Sequence, residues 1–593
     1  MAIDPTPSLN YVGTLVGEST SREFRLAVKH EAVREQDLIA VDAEISDAIQ
    51  ADKPMQQIRI WAKVQRLERI NPLFPLEAGH ELAETQTDPF DTVLSLSREM
   101  VTAVCQILGA EPLTGKEGGK LDQLRYPAKP ATRAYRPHSA HIARVVLGEL
   151  GKKQNRALDI AELANRPEVT VKVDGDAIVT RHLAILAMTG AGKSWTARRI
   201  IEELAAKNWP IVIFDPRGVD YSGLPDVASL KAKVRRYYAQ FPIFEQDSDT
   251  VSAIVSTLGY ELKDAMELRF DELFRAAKSF IACDDQELEE RKKWLATTLG
   301  KPEINRYSAN DLYFVANLAA AAEIAVGKNE KPARKNEEKQ LSAECLKLKD
   351  LGWKNIDTYT GTDAKTLEAI KKRAFKAAKV LRRMERTNEK VAAGSLPLPT
   401  DRKELVQYGQ ISVVSLAGYT SDFQATIYSI IADEIFDAKV QNDLAWPVLF
   451  LLEEAHNFVP AKGNTPAELR AIQTTRQIAQ EGRKFGIGLI VISQRPSRLD
   501  ETTLSQCNSF VIMRMVNPAD QNFVQRVVES LGEEDAKMLP NLDRGEALLS
   551  GQMINFPVLV KIKKPESRGE REEEIDAFQK LEEARRLIAV RER

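Results

Sequence analysis

Along the first part of the chain, apolar and polar residues alternate in short runs. Residues 11–16 precede a polar turn at 17–22, after which Phe24, Leu26 and Val28 alternate with mostly polar neighbours. A third run follows at 38–41, and Ile58, Ile60, Ala62 and Val64 alternate again. A period of two marks half-buried strands, so about the first 70 residues predict a small β-barrel. Residues 91–108 then place Val93, Leu96, Met100, Val104 and Ile107 at spacings of three and four, which predicts a helix. The Pro-, Arg- and Ala-rich stretch 128–137 reads as a linker.

From residue 169 the rhythm changes. VTVKVDGDAIV predicts a hairpin turning at Asp174–Gly175. HLAILAM (182–188) is a short apolar strand, followed by a Gly-rich turn, the helix SWTARRIIEELAAK and the continuous apolar run IVIFD (211–215). Strands alternating with helices predict a parallel sheet buried on both faces. Residues 250–395 hold mainly helix-forming segments (261–280, 310–326, 364–386), and the sheet pattern resumes with ISVVSL (411–416), PVLFLL (447–452) and IGLIVIS (487–493). From 565 onward, Ile575, Phe578, Leu581, Ala584 and Leu587 form one apolar stripe on a charged helix, suited to strapping onto another surface. The expected organisation is an N-terminal barrel plus linker (1–135), two parts of an α/β core (136–250 and 401–555), a helical-bundle insertion between them (251–400) and a C-terminal helical brace (556–593).

Charge and cysteine usage narrow the classes. With 83 basic and 86 acidic side chains the net charge is −3, which excludes a histone-like polycation and leaves any nucleic-acid contact to a local surface. The four cysteines are scattered without a CxxC pair, which excludes a zinc knuckle, a thioredoxin site and a secreted disulfide framework and fits a reducing cytoplasm. The longest alanine-rich stretch, 318–322, stops at Glu323, and the N-terminus lacks the basic and apolar regions of a leader, so a cytoplasmic protein with no membrane span is expected. One region departs from the balance: residues 365–390 hold ten Lys/Arg against three acids on a helix whose other side carries Leu367, Ile370, Ala374, Ala378 and Leu381. Phe375 is the sole interleaved aromatic, so a solvated face is the preferred reading and a phosphate-facing surface the alternative.

Three motifs carry chemistry. Met188-Thr189-Gly190-Ala191-Gly192-Lys193-Ser194 lies between an apolar strand and an amphipathic helix, the context of a P-loop. Its glycines let successive N–H groups face a phosphate, Lys193 reaches the β- and γ-phosphates, and the Ser194 hydroxyl ligates Mg²⁺. The motif has Ala187 where the GxxxxGK[ST] pattern has Gly; a Gly-rich turn without ligand is the bland alternative. The second motif is VLFLLEEAHNF (448–458), in which Glu453 and Glu454 end an apolar strand. Two acids there are costly unless a cation and a polarised water use them. Glu453 then serves the Mg²⁺ shell, indirectly if need be since Asp is usual, and Glu454 orients or deprotonates the attacking water; a solvated strand end is the alternative. His456 either gates the site or merely packs beside it. In the third, GIGLIVISQRP (486–496), Gln494 sits at the carboxyl edge of the sheet, as a γ-phosphate sensor or a turn amide.

Together these residues resemble the HerA branch of the HerA/FtsK family of RecA-like DNA translocases. The matching stretches are TRHLAILAMTGAGKS (180–194), FDPRGVDY (214–221), LLEEAHNF (451–458), EGRKFGIGLIVISQRPSRLDETTLSQCN (481–508) and, in the barrel, VGTLVGESTSREFRL (12–26). The resemblance implies an α/β fold: a RecA-like P-loop core with an N-terminal barrel, a helical insertion and a C-terminal brace. It also implies a homohexameric ring that hydrolyses ATP with Mg²⁺ and pulls double-stranded DNA through its channel. Family members serve nucleases in DNA repair and effector enzymes in antiviral defence. No nuclease constellation stands in this chain, so a second polypeptide, docked on the barrel, would supply such chemistry. By position, Thr189, Gly190, Ala191, Gly192, Lys193, Ser194 and Trp195 are the expected ATP-binding residues and Ser194 and Glu453 the metal residues. Glu454, Gln494, Arg483 and Arg181 are the expected catalytic ones.

Arg483 precedes the strand that ends in Gln494, hence lies at the amino edge, where it would act on a neighbouring subunit's nucleotide; a solvated helix-end arginine is the alternative. The P-loop, Glu454 and Gln494 are all expected at the opposite edge, with no further fixed cation of their own chain beside them. The turn Arg217-Gly218-Val219-Asp220 departs from the family pattern and leaves the role of Asp220 open. Two other functional classes compete: a nucleotide-binding scaffold ring that organises an effector enzyme, and a protein-translocating ATPase, whose usual membrane segments are missing from the pattern.

Overall fold

Six strands close the N-terminal barrel: β1 (Tyr11–Ser19), β2 (Glu23–Val28), β3 (Leu38–Ile45), β4 (Gln56–Ile70), β5 (Met100–Pro112) and β6 (Arg133–Tyr135), in the order β1-β2-β5-β4-β3-β6. The computed structural model describes residues 10–29, 31–45, 56–70, 84, 100–113, 121–148, 150, 154–258, 261–301, 311–329, 340–567, 578, 581, 582 and 584–586. Alternating residues such as Phe24, Leu26, Ile58, Ile60, Ala62 and Val64 fill the barrel core, as the period of two requires.

Two expectations for this region are corrected. The part of the expected helix 91–108 that is described, from Met100, belongs to β5; residues 91–99 lie outside the described residues. The pairing of β4 with β5 shifts register between Trp61 and Ala62, where Leu108 bulges out of β5, and again between Val64 and Arg66, where Gln65 bulges out of β4. The apparent helical spacing comes from mixing the two faces of the strand: Ala103, Cys105 and Ile107 alternate into the barrel core, whereas Val104 is buried on the other face and Met100 is exposed. The expected linker contributes β6, which pairs with both β1 and β3 and closes the barrel.

The remaining strands build one twelve-stranded sheet: β7 (Ala157–Leu163), β8 (Arg166–Asp174), β9 (Leu183–Leu186), β10 (Ile211–Asp215), β11 (Val234–Tyr238), β12 (Leu396–Pro397), β13 (Ile411–Ser415), β14 (Val448–Leu452), β15 (Ile487–Ser493), β16 (Ser509–Met513), β17 (Glu546–Gly551) and β18 (Val558–Ile562). Their order is β12-β11-β13-β10-β14-β15-β9-β16-β17-β18-β7-β8. The strands from β12 to β16 in that order run parallel and the last four antiparallel. Successive residues of β10 serve opposite faces: Val212 and Phe214 enter one core layer, Ile211 and Ile213 the other. This is why the central strands read as unbroken apolar runs.

No hairpin turns at Asp174–Gly175. The Asp174 side chain instead accepts the Asp176 N–H and caps the helix Gly175–Arg181. Gly175 is required because a Cβ there would stand 2.7 Å from the Arg156 carbonyl oxygen. Inserted between β11 and β12 are the helices Ser248–Leu258, Asp264–Ile281, Asp285–Leu299, Leu312–Gly327, Ala343–Asp350 and Gly361–Val391. Their core is continuous with one sheet layer, and buried Asn388 ties the long last helix to the sheet by donating to the carbonyls of Ala239 (3.1 Å) and Ser415 (2.9 Å). The barrel is fastened to the core by an ion pair between Lys63 and Asp535, with Nζ–Oδ1 2.7 Å and both side chains buried. β18 carries the sheet past residue 555, and most of the expected brace helix lies outside the described residues. Among the described residues no helix is long and apolar enough to cross a membrane.

Candidate active site

The parallel strands bring four loops to one edge. Order β10-β14-β15-β9 sets the carboxyl ends of these strands side by side, so Asp215, Glu453-Glu454, Gln494 and the P-loop converge although they lie far apart in sequence. Such a carboxyl edge is where open α/β sheets bind ligands.

After β9 the chain turns through Gly190 (φ +83°) and Gly192 (φ +113°) into the helix Lys193–Ala206. Both backbones occupy the left-handed region, and Gly190 meets nothing within 4 Å of a would-be Cβ, so a ligand can approach its main chain. Ala187 is buried, and its N–H is taken by the Ser493 carbonyl at 3.2 Å. Its backbone, one residue past β9, still bonds across to β15 rather than curling with the turn, which is why a methyl is accommodated at this departure from the motif. Thr189, Gly190, Gly192, Lys193, Ser194 and Trp195 line one cleft with Glu453 and Gln494; Ala191 is buried beneath it.

Glu454 is the hub. Its Oε1 accepts from Lys193 Nζ (2.9 Å), from Arg217 Nη2 (3.2 Å) and from Gln494 Nε2, while Thr189 Oγ1 donates to Gln494 Oε1. Among the described residues no hydrogen bond reaches the buried Glu454 Oε2; His456 Nδ1 stands 3.6 Å away. Glu454 itself is left-handed (φ 50°), a conformation that costs a non-glycine residue about 1–3 kcal/mol and persists only where its surroundings hold it. Glu453 is buried, with Oε1 3.0 Å from Lys193 Nζ and Oε2 accepting the Tyr221 hydroxyl at 2.6 Å.

Electrostatics separates the two acids. Burial pushes the Glu454 carboxyl up, but the Lys193 charge, the hydrogen bond from Lys193 and the Arg217 charge outweigh it and leave it below the ordinary range. For Glu453 burial prevails over Lys193, and the Asp220 charge adds to the rise. Lys193, between two carboxylates, is held protonated despite its own burial. Burial lowers His456, which is therefore neutral near pH 7. Pairs of acids pushed apart in this way take different roles. Glu454 remains an ionised acceptor, and Glu453 is an anchor for Lys193 and Tyr221.

The expectation that this chain offers no further cation at the site is corrected. The buried Asp215 carboxylate accepts the N–H groups of Arg217 (3.0 Å), Gly218 (2.8 Å) and Asp220 (3.1 Å), and so folds the loop that aims Arg217 at Glu454. Burial, then the Asp220 charge, pushes Asp215 up to about 7. Arg544, from the turn before β17, lines the same cleft. Sequence reasoning does not single out Asp215, Arg217, Tyr221 or Arg544 as site residues. A buried strand ending in Asp before a glycine turn is the signal that points to the first two.

Arg181 and Arg483 are not brought to this cleft. Arg181 ends the helix before β9 and donates to Gln552; Arg483 is exposed in the last turn of the helix Pro466–Phe485, before β15. Both lie at the amino edge of the sheet, opposite the P-loop.

A P-loop on a parallel sheet, with a glutamate pair two strands away and a glutamine on the strand between, defines a RecA-like P-loop ATPase. The family model described as "Helicase HerA, central domain" matches residues 158–435. The DNA double-strand break repair helicase HerA of Pyrococcus furiosus is 30% identical over 499 residues, 78% of each chain. A probable helicase of Methanocaldococcus jannaschii is 25% identical over 568 residues, 93% of this chain and 95% of that one. Among solved structures, VirB4 of Thermoanaerobacter pseudethanolicus aligns with TM-score 0.40 and 15% identity over 68% of this chain and 96% of its own. The chain belongs to the HerA helicase family. It is an ATP-hydrolysing helicase, in keeping with the expectation from its P-loop and acid pair.

Proposed function

We propose that the protein is an ATP-driven translocase on double-stranded DNA, acting in the cytoplasm as a closed ring of six copies, with a separate nuclease or defence effector docked on its barrel. What carries this reading is the arrangement around Glu454 at the mouth of a P-loop. Lys193, Arg217 and Gln494 hold one oxygen of an ionised carboxylate, and no hydrogen bond from the described residues occupies the other. The glycine turn and Lys193 suit a triphosphate, and Ser194 with the shell around Glu453 suits Mg²⁺. Both Glu453 oxygens are engaged, which favours a part played through the metal's water rather than direct ligation. Mg²⁺, when bound, neutralises charge on the phosphates. Glu454 Oε2 accepts the proton of the attacking water, Gln494 relays its position to Thr189, and Arg217 with Lys193 keeps the carboxylate ionised and aimed.

The position of Arg483 and Arg181 at the amino edge supports action in trans. In a head-to-tail ring that edge faces the next subunit's cleft, and closure by rotation makes every interface equivalent. The barrel has its own core and no nucleotide motif, which suits it to a partner. Relatives named as DNA repair helicases support DNA as the substrate. Steady-state ATPase measured with and without linear duplex DNA tests the reading. Strong stimulation is expected; an indifferent rate points instead to a scaffold ring that organises its partner.

A further inference from the structure

The helix Gly361–Val391 turns one face to solvent along its whole length, and that face is basic. Lys365, Lys372, Lys376, Lys379, Arg383, Arg386 and Lys390 are all exposed, and they recur at steps of seven, four, three, four, three and four. At about 100° per residue this places all seven within a sector of about 80°, along about 37 Å of helix. Leu367, Ile370, Ala374, Ala377, Ala378 and Leu381 occupy the opposite side and are buried in the fold. A single acid falls in the basic sector, Glu368, and it is paired to Lys372 at 2.7 Å. Random solvation of a surface helix does not sort charge this way; mixed signs are the rule.

We infer that this stripe is a docking surface for the phosphate backbone of double-stranded nucleic acid. The inference deepens the reading of the protein as a DNA translocase and rests on it. Duplex DNA carries one negative charge per ~1.7 Å of axis, so a straight row of cations of this length faces about one helical turn of backbone. A single strand is a poorer match, since base stacking needs exposed aromatic rings. The helix's own Phe375 is half-buried, 6.1 Å from Tyr313 and beneath Lys301. A lipid surface is a poorer match too, because an interfacial helix inserts an apolar face and here that face is already covered.

The stripe is also joined to the nucleotide cleft. Its last turn is pinned to the sheet by Asn388, and a Cβ on Gly218 would stand 2.4 Å from Ser415 Oγ and 3.1 Å from Val391 Cγ1. The loop that presents Arg217 is thus packed directly on the end of the basic helix.

The test uses the full chain with Lys379→Glu, Arg383→Glu and Arg386→Glu combined, against a control of equal charge change, Lys207→Glu, Lys231→Glu and Lys293→Glu, all on exposed residues outside this helix. Binding of a linear duplex of several helical turns is followed by fluorescence anisotropy over a salt series. The stripe variant should bind on the order of 100-fold more weakly at low salt, with a log–log salt slope shallower by about 3, close to 0.9 for each phosphate no longer neutralised. The control should match wild type. If circular dichroism shows the reversed variant unfolded, the three Gln substitutions replace it with the same expectation. Equal affinity and slope in stripe and control variants overturn the assignment while leaving the translocase reading intact, and so does a variant that loses anionic vesicles but keeps the duplex. A wild-type protein that binds no duplex at all overturns both.

Discussion

Arg217 and Glu454 are 237 residues apart in the chain, yet Nη2 of the first lies 3.2 Å from Oε1 of the second. The pair meets because β10 and β14 are neighbours in the sheet and Asp215 pins the turn that follows β10. Arg217 should therefore tune the acid rather than bind substrate alone. Its charge lowers the Glu454 carboxyl, so Arg217→Ala should raise that carboxyl. The sign follows: a base that must be ionised loses activity as pH falls through its pKa, so the acidic limb of the kcat–pH profile should move to higher pH. At neutral pH kcat should fall about tenfold, the scale of one charge-assisted hydrogen bond. Arg217→Lys should restore most of the profile, and identical profiles for wild type and Arg217→Ala would remove this pair from the mechanism.

Lys193→Met should abolish nucleotide binding and also weaken the fold. It leaves Glu453, buried and already pushed up by that burial, without its cation. Removing one partner of such a buried pair costs about 3–5 kcal/mol. Protonating the orphaned acid relieves the penalty, so the deficit relative to wild type should be largest at high pH and shrink as pH falls. Denaturant titrations across the pH range read this directly.

Glu454→Gln should retain ATP affinity and lose hydrolysis by about 10²–10⁴, because the amide keeps the donors' geometry on one oxygen but accepts no proton. If turnover survives, Glu453 is the general base and the roles of the two acids are reversed.

Rings mixed from Glu454→Gln and Arg483→Ala subunits should show more ATPase than either parent. Some interfaces then combine an intact Glu454 in one subunit with an intact Arg483 from the next, and an arginine supplied in trans is worth ~10³–10⁵ in rate where it acts. Mixed rings proven to form, and no more active than their parents, would end the trans assignment.

Lys63→Met alone should destabilise the chain by about 3–5 kcal/mol by stranding Asp535 in a buried position. Lys63→Met with Asp535→Leu should recover much of that loss, since two apolar groups need no partner. Additive costs in this double-mutant cycle would show that the two side chains do not hold barrel and core together.

The amino-acid sequence by itself determined the parts whose physics is local. Unbroken apolar runs such as 211–215, 448–452 and 487–493 are strands covered on both faces, and the Gly190–Gly192 turn before an amphipathic helix is a cradle for backbone N–H groups. Those signals lead to the parallel sheet, the P-loop and the acid pair. They fail where long-range pairing overrules local period: Met100 and Val104 on one face of β5 and Ile107 on the other fall at the spacing of a helix, and β6 is a strand only because β1 and β3 leave open edges for it to fill. Tertiary structure alone decided that two adjacent glutamates are pushed in opposite directions, because that depends on what the fold brings together: Lys193 and Arg217 lower Glu454, whereas for Glu453 deeper burial and the Asp220 charge prevail over Lys193. It also decided which side of the 365–390 helix faces solvent, since periodicity sorts residues onto faces but only packing says which face is covered.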